Sequence, residues 1–191
     1  MRNVRPAADA AGGAPPPSPA DVAVPEHWWP AYVALGSNLD DPRAQVERAF
    51  AALEGVPDTR VVLRSRLYRS APIGYADQPD FVNAAAALLT RLAPRPLLDA
   101  LRALERQLGK VPPTVANGPR RIDLDLLVHG EHRMDEPGLV LPHPRLHERA
   151  FVLYPLAELA PQLWIPGHGR VAALRAAVTG QALEPLPAGS V

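Results

Sequence analysis

The chain contains no cysteine in its 191 residues. Disulfides, zinc–thiolate centres and a cysteine nucleophile are therefore excluded, and a reducing compartment fits. Lysine is almost as scarce. Lys110 is the only one, and the other 19 of the 20 basic residues are arginine. Those 20 cations meet 20 carboxylates, so the formal charge is zero. No bulk basic field favours nucleic acid, and no acidic tail is present. No apolar run is long enough to span a membrane. Arg2 and Arg5 stand near the N-terminus, but Asp9, glycines and prolines break any apolar stretch behind them, so a signal peptide is excluded. There is also no Gly-x-x-x-x-Gly-Lys-Ser/Thr, which rules out a P-loop, and Gly36-Ser37-Asn38 is not a dinucleotide fingerprint.

What the chain does have is punctuation. Residues 1–26 are rich in Ala and Pro, with Gly12-Gly13 and Pro15-Pro16-Pro17. Such a segment buries little, and a disordered leader is expected, with a similar flexible tail over 185–191. The stretch 27–184 then reads as one domain. Ala31–Leu35 reads as a strand ending at Gly36-Ser37-Asn38. Asp41-Pro42 reads as a helix start, with Val46, Ala49, Phe50 and Leu53 on one face. Val61–Tyr68 is β-like, and 70–79 is a loop carrying Pro72, Gly74 and Pro79. Phe81–Leu89 can form another strand, although its alanines suit a helix as well. Pro94–Leu108 has leucines on one side and Gly109 as a stop. After a proline-rich loop come a strand around Ile122–Leu126, a short strand at Leu139–Leu141, a helix over Arg149–Leu159 and a last helix over Val171–Val178. The order β-α-β-β-α-β predicts an α+β, ferredoxin-like antiparallel sheet with helices packed on it in α-β-α layers.

Ile122-Asp123-Leu124-Asp125-Leu126 alternates apolar and acidic residues, the pattern of a half-buried strand. Ile122, Leu124 and Leu126 would face a core, and Asp123 and Asp125 would share the other face, roughly 6.5–7 Å apart along the backbone. Asp is depleted in strands. A pair of them on one face suits a divalent metal beside a polyphosphate, with a solvated strand face as the plainer reading. Arg120 is placed to reach a phosphate with a bidentate guanidinium. Taken singly, the other polar candidates have plain readings. Glu105 and Lys110 read as solvated residues at a helix end, His143 as a loop histidine, and Asn83 as a turn cap. Phe81 can stack on a flat ring, and Phe151 is as readily core.

The joint order of these segments is similar to the 6-hydroxymethyl-7,8-dihydropterin pyrophosphokinase family. The similarity runs from about Tyr32 to Trp164. It includes Tyr32 to Leu39, Ser65-x-x-Tyr68-x-Ser70, Asp77 to Ala84, Gly118 to Leu127, Leu141 to Arg145, and Arg149-x-Phe151-Val152-Leu153-x-Pro155-Leu156. The resemblance implies transfer of pyrophosphate from ATP, as co-substrate, to the hydroxymethyl oxygen of the pterin. It implies that Asp123 and Asp125 bind two magnesium ions. Ser70, Ala71, Ile73, Phe81, Asn83 and Phe151 fall on the pterin positions. Glu105, Arg120, Leu126, His143 and Arg149 fall on the ATP positions, and Arg120 and Lys110 on catalytic ones. Four loop positions depart from the family: Lys110 and Pro112 stand where it usually has arginines, and Ala116 and Asn117 where it often has Arg and Trp. A paralog that binds pterin and ATP without efficient transfer is the alternative this loop suggests. The partners expected are small molecules only, for a cytoplasmic monomer.

Overall fold

The computed structural model describes residues 27–111 and 115–187; the leader, residues 112–114, and the last four residues lie outside them. The elements in chain order are β1 (Trp29–Ser37), α1 (Pro42–Leu53), β2 (Thr59–Arg64), β3 (Tyr68–Ser70), β4 (Phe81–Thr90), α2 (Pro94–Gln107) and β5 (Asp123–His129). They continue with β6 (Met134–Glu136), β7 (Leu139–Leu141), α3 (Ala150–Leu159), β8 (Trp164–Ile165), β9 (Gly169–Arg170), α4 (Val171–Ala177) and β10 (Leu183–Pro185).

Asp41 caps α1 through its Oδ1, which accepts from the N–H of Ala44 at 3.2 Å, with Pro42 in the first turn. The apolar stripe read from the sequence, Val46, Ala49, Phe50 and Leu53, is the buried face of that helix. Leu97 and Leu101 do the same for α2, which carries no side-chain cap bond. Each fully buried leucine contributes about 1.5–3 kcal/mol. Gly109 takes φ 82 past the end of α2, a conformation that costs a glycine little.

The main sheet is antiparallel throughout, in the order β10-β3-β4-β1-β5, with β2 also pairing β4. α1 and α2 pack on one face, against Val33, Leu35, Ala84, Ala86, Leu124 and Leu126. α3 and α4 pack on the other, against Ala34, Leu127 and Val128. This is the α+β, ferredoxin-like layering expected.

Two differences from the sequence reading, and one choice it left open, have physical causes. The β-like stretch Val61–Tyr68 is two strands, because Ser65 interrupts it: Ser65 Oγ accepts from the N–H of Ala85 at 2.9 Å and donates to Arg66 O at 2.7 Å. The alanine run in β4 is strand, not helix. It lies between β1 and the β2/β3 edge with helices over both faces, and that tertiary setting outweighs local preference. The chain from Leu183 to Pro185 pairs with β3, and Leu186 N donates to Leu67 O at 2.8 Å. The described start of the segment read as a tail thus belongs to the sheet, where an open edge was available to pair with.

A histidine pair closes the far end of β5. His129 is fully buried, with Nε2 2.9 Å from Leu92 O and Nδ1 3.2 Å from Nδ1 of His132. A carbonyl only accepts, so Nε2 carries the proton and Nδ1 accepts from His132. Burial, then His132, lowers the pKa of His129. Its folded value lies below the unfolded value of about 6.5. Stability from the neutral ring is therefore complete above that pH and is lost as pH falls through the folded pKa. In thermal melts across this range, His129→Gln is expected to show a flatter pH dependence than the wild type.

Candidate active site

The α3 side of the sheet holds a cavity of about 160 Å³. Its floor follows from strand register. Asn83 on β4, Gly36 on β1 and Asp123 on β5 are direct neighbours across three strands, and Ala34 pairs Asp125 one step away. Gly36 lies between a hydrogen-bonding amide and a carboxylate, and a Cβ there would stand 3.4 Å from Asn83 Oδ1. A glycine inside a strand often marks such close approach. Here it keeps the floor open.

One end of the cavity is apolar and flat-sided. Phe81 enters it from the start of β4 and Phe151 from the start of α3, with Ala71 and Ile73 from the intervening loop. Asn83 is buried, and its Nδ2 donates to Ser70 Oγ at 2.9 Å. Its Oδ1, turned toward Gly36, makes no hydrogen bond to the described residues and is an open acceptor. Each phenylalanine carries an arginine: Arg120 lies 5.5 Å from the ring of Phe81 and Arg149 5.4 Å from that of Phe151.

The other end is charged. Asp123 accepts from Lys110 Nζ at 2.6 Å and from Arg120 Nη1 at 2.8 Å. Burial works against its charge, but the two cations outweigh burial and hold its pKa below the usual value. Asp125 has less relief, since Arg149 and Lys110 act on it only through space. It forms neither hydrogen bond nor ion pair among the described residues, and burial, then the charge of Asp123, pushes its pKa up to about 6. Arg120 Nε is buried with no acceptor among the described residues. An under-compensated carboxylate pair suits hard divalent cations with oxygen ligands, and an orphaned guanidinium N–H suits a phosphate oxygen. The donor set fits magnesium whose remaining ligands come from a polyphosphate. No group of three or more His, Cys, Asp or Glu among the described residues forms an all-protein cage.

Ser70, Ala71, Ile73, Phe81, Asn83, Phe151, Asp123, Asp125, Arg120 and Arg149 all line the cavity. Four candidates do not. Glu105 is buried and points at β5, accepting from Leu124 N at 2.7 Å and from Lys110 Nζ at 2.7 Å. Lys110 bridges that carboxylate and Asp123; burial lowers its pKa, but the two carboxylates outweigh it and raise the pKa overall. The side chain of Leu126 belongs to the core under α1 and α2. His143 sits just outside the cavity, its N–H donating to Leu127 O at 2.8 Å. Burial, then Arg149, lowers its pKa to about 4, so its ring is neutral at pH 7.

Sequence reasoning did not single out Gly36, Asn117 or Arg145, which also line the cavity. Gly36 and Arg145 stood inside motifs that were recognised. Asn117 stood among the loop positions that depart from the family, with no site role read for it; its backbone takes φ 58. Nor was the clasp around Asn38 foreseen. Its Oδ1 accepts from Arg120 N at 2.8 Å, and its Nδ2 donates to Gln78 Oε1 at 2.9 Å and Pro79 O at 3.1 Å. Gln78 Nε2 in turn donates to Asn117 O at 2.8 Å. Three loops are thereby tied at the point where Arg120 enters the site.

Comparison with known proteins agrees with this geometry. Residues 32–161 match the family model 7,8-dihydro-6-hydroxymethylpterin-pyrophosphokinase (HPPK). The 2-amino-4-hydroxy-6-hydroxymethyldihydropteridine pyrophosphokinase of Pseudomonas aeruginosa is 52% identical over 156 residues, covering 82% of this chain and 96% of that protein. The Bacillus subtilis protein of the same name is 40% identical over 133 residues, covering 70% of this chain and 79% of its own. A crystal structure of wild-type Plasmodium falciparum HPPK-DHPS with pterin and p-hydroxybenzoate shares the fold, with a TM-score of 0.63 at 12% identity. The match covers 81% of this chain and 42% of that longer one. The chain belongs to the 7,8-dihydro-6-hydroxymethylpterin-pyrophosphokinase family.

Proposed function

We propose that this cavity transfers the pyrophosphoryl group of ATP to 6-hydroxymethyl-7,8-dihydropterin with the help of two magnesium ions held by Asp123 and Asp125. The pyrophosphokinase reaction itself is that of the family. The hydroxymethyl oxygen bonds to the β-phosphorus, the bond from that phosphorus to the α-phosphate oxygen breaks, the hydroxyl proton is lost and AMP leaves. The observation that carries the reading is the joining of the two ends in one cavity. An aromatic and amide slot for a flat heterocycle opens directly onto two carboxylates and three arginines.

Phe81 and Phe151 would hold the pterin between them, and the free Oδ1 of Asn83 would accept from its amino edge. Arg120 and Arg149 would meet the triphosphate, the former with its orphaned Nε. Magnesium supplies charge neutralisation of the triphosphate and alignment of its oxygens. The protein residues otherwise act by positioning and by fixed charge, with no covalent intermediate. The test is AMP formation from ATP, magnesium and the hydroxymethyl pterin. AMP is expected, and its absence would overturn the reading.

Lys110 supplies the cation of the loop after α2, and its contact with Asp123 supports a catalytic part for it. If it fills the place of the family's arginine, Lys110→Arg is expected to match or exceed the native kcat, and Lys110→Ala to fall by about 10- to 100-fold, the scale of one charge-assisted contact to a reacting group. A clear loss in Lys110→Arg would show that this loop works differently. A cytoplasmic location is consistent with the absence of cysteine, and among the described residues no helix is long and apolar enough to cross a membrane.

A further inference from the structure

The start of α3 is held by a residue far away in the sequence. Arg149 precedes the helix and its side chain makes no capping bond. Gln181 makes the bonds instead. Its Oε1 accepts from the N–H of Ala150 at 2.9 Å, and its Nε2 donates to the carbonyl of Glu148 at 2.7 Å. One carboxamide thus closes on the backbone to either side of Arg149. Gln181 comes to this point after α4, through Gly180 at φ 72. Two residues further on, Leu183 pairs with Ser70. A second cavity of about 250 Å³ lies under this crossing, bounded by Ala71, Ile73, Phe151, Gln181 and Leu183. The segment 180–185 therefore touches both walls of the aromatic slot, the strand that bears Ser70 and the helix start that bears Phe151. All of it lies beyond the stretch 32–161 that matches the family model.

We propose that Gln181 is a positioning residue for the transfer reaction. It fixes the peptide groups around Arg149 and so sets where the Arg149 guanidinium and the Phe151 ring meet the substrates. The inference rests on the pyrophosphokinase reading of the cavity. Arg149 reaches the site on a long, flexible side chain, so a small rotation of its backbone moves the guanidinium further than it moves the helix. Displacements near 1 Å cost on the order of 100-fold in transfer when they reach the reacting centre. A helix cap is worth about 1 kcal/mol, and an effect of that size on substrate affinity is about fivefold.

The test uses the full chain with Gln181→Ala and Gln181→Glu. Hydrogen–deuterium exchange over residues 150–153 reads the positioning, and KM and kcat read its consequence. Gln181→Ala is expected to speed exchange at 150–153 while leaving α1 unchanged. It should raise KM for ATP and for the pterin by about three- to tenfold with a smaller change in kcat. Gln181→Glu keeps the acceptor for Ala150 N–H but loses the donor to Glu148 O, so it should fall between the wild type and the alanine variant. Unchanged exchange at 150–153 overturns the proposal. So does faster exchange with unchanged KM, which would make Gln181 a cap for stability only. Should the wild type form no AMP, the pyrophosphokinase reading fails by itself, and the exchange result still decides whether Gln181 holds this segment.

Discussion

Asp125→Ala is expected to abolish pyrophosphoryl transfer, by at least about 1,000-fold in kcat, while raising the melting temperature. The two effects have one origin. Asp125 is a half-buried carboxylate without hydrogen bond or ion pair among the described residues, and burial and Asp123 push its pKa up to about 6. At neutral pH its charge is a cost to the folded chain that Arg149 and Lys110 offset only in part. Removing it relieves that cost, with a gain of roughly 2–4 °C for about 1 kcal/mol in a chain of this size. It also removes half of the proposed metal-binding pair, and charge stabilisation is usually the largest part of catalysis in transfers of this kind. Asp123→Ala should lose activity to a similar extent but should lower the melting temperature. Asp123 is the partner of both Lys110 and Arg120, and its loss leaves Lys110 with Glu105 alone and Arg120 without an ion pair among the described residues, in a partly buried site. AMP formation and thermal melts on the two variants check both signs. Near-normal turnover in either one would falsify the metal assignment.

Gly36→Val has the second largest expected effect. The added side chain would project from β1 onto the cavity floor between Asn83 and Asp123, with its Cβ 3.4 Å from Asn83 Oδ1. That distance is ordinary contact, so the fold should accept the change. A β-branched residue in place of a strand glycine should leave stability equal or higher by about 0.5–1 kcal/mol. The pterin, however, would lose the space at the floor. Overpacking of a fitted site costs up to about 3 kcal/mol, close to a 100-fold loss in pterin affinity. ATP affinity should change much less. Equilibrium binding of pterin and of a non-hydrolysable ATP analogue, measured on a variant with unaltered melting temperature, separates the two. Unchanged pterin affinity would place the heterocycle somewhere other than over Gly36.

Both predictions turn on residues that the sequence presents differently. Asp123 and Asp125 are visible from alternation alone, because a strand must put every second residue on one face. Their shared face, the burial of Ile122, Leu124 and Leu126, and the antiparallel α+β order follow from local pattern. The aromatic and polar partners were legible because they stand in recognisable segments in order. Glu105 was less so. As a residue type at a helix end it reads as solvated, yet it is buried against the backbone of Leu124, a contact between residues 19 positions apart. The unequal ionisation of the two aspartates is also invisible in the sequence. It depends on which of them Lys110 and Arg120 reach.

The sequence by itself determined the periodicities, the helix start at Asp41-Pro42, the helix stop at Gly109, and the chemical inventory: one lysine, no thiol, two carboxylates on a strand. Those are properties of neighbouring residues and need no knowledge of the rest of the chain. Only the tertiary structure decided which faces meet. It placed Gly36 between Asn83 and Asp123, tied Asn38 to Gln78 and Arg120, and brought Gln181 back onto the start of α3. Each of these contacts joins parts of the chain separated by 30 residues or more. The physical reason they form is shared: a buried or partly buried backbone N–H, carbonyl or amide needs a partner, and the packed sheet decides which one is within reach.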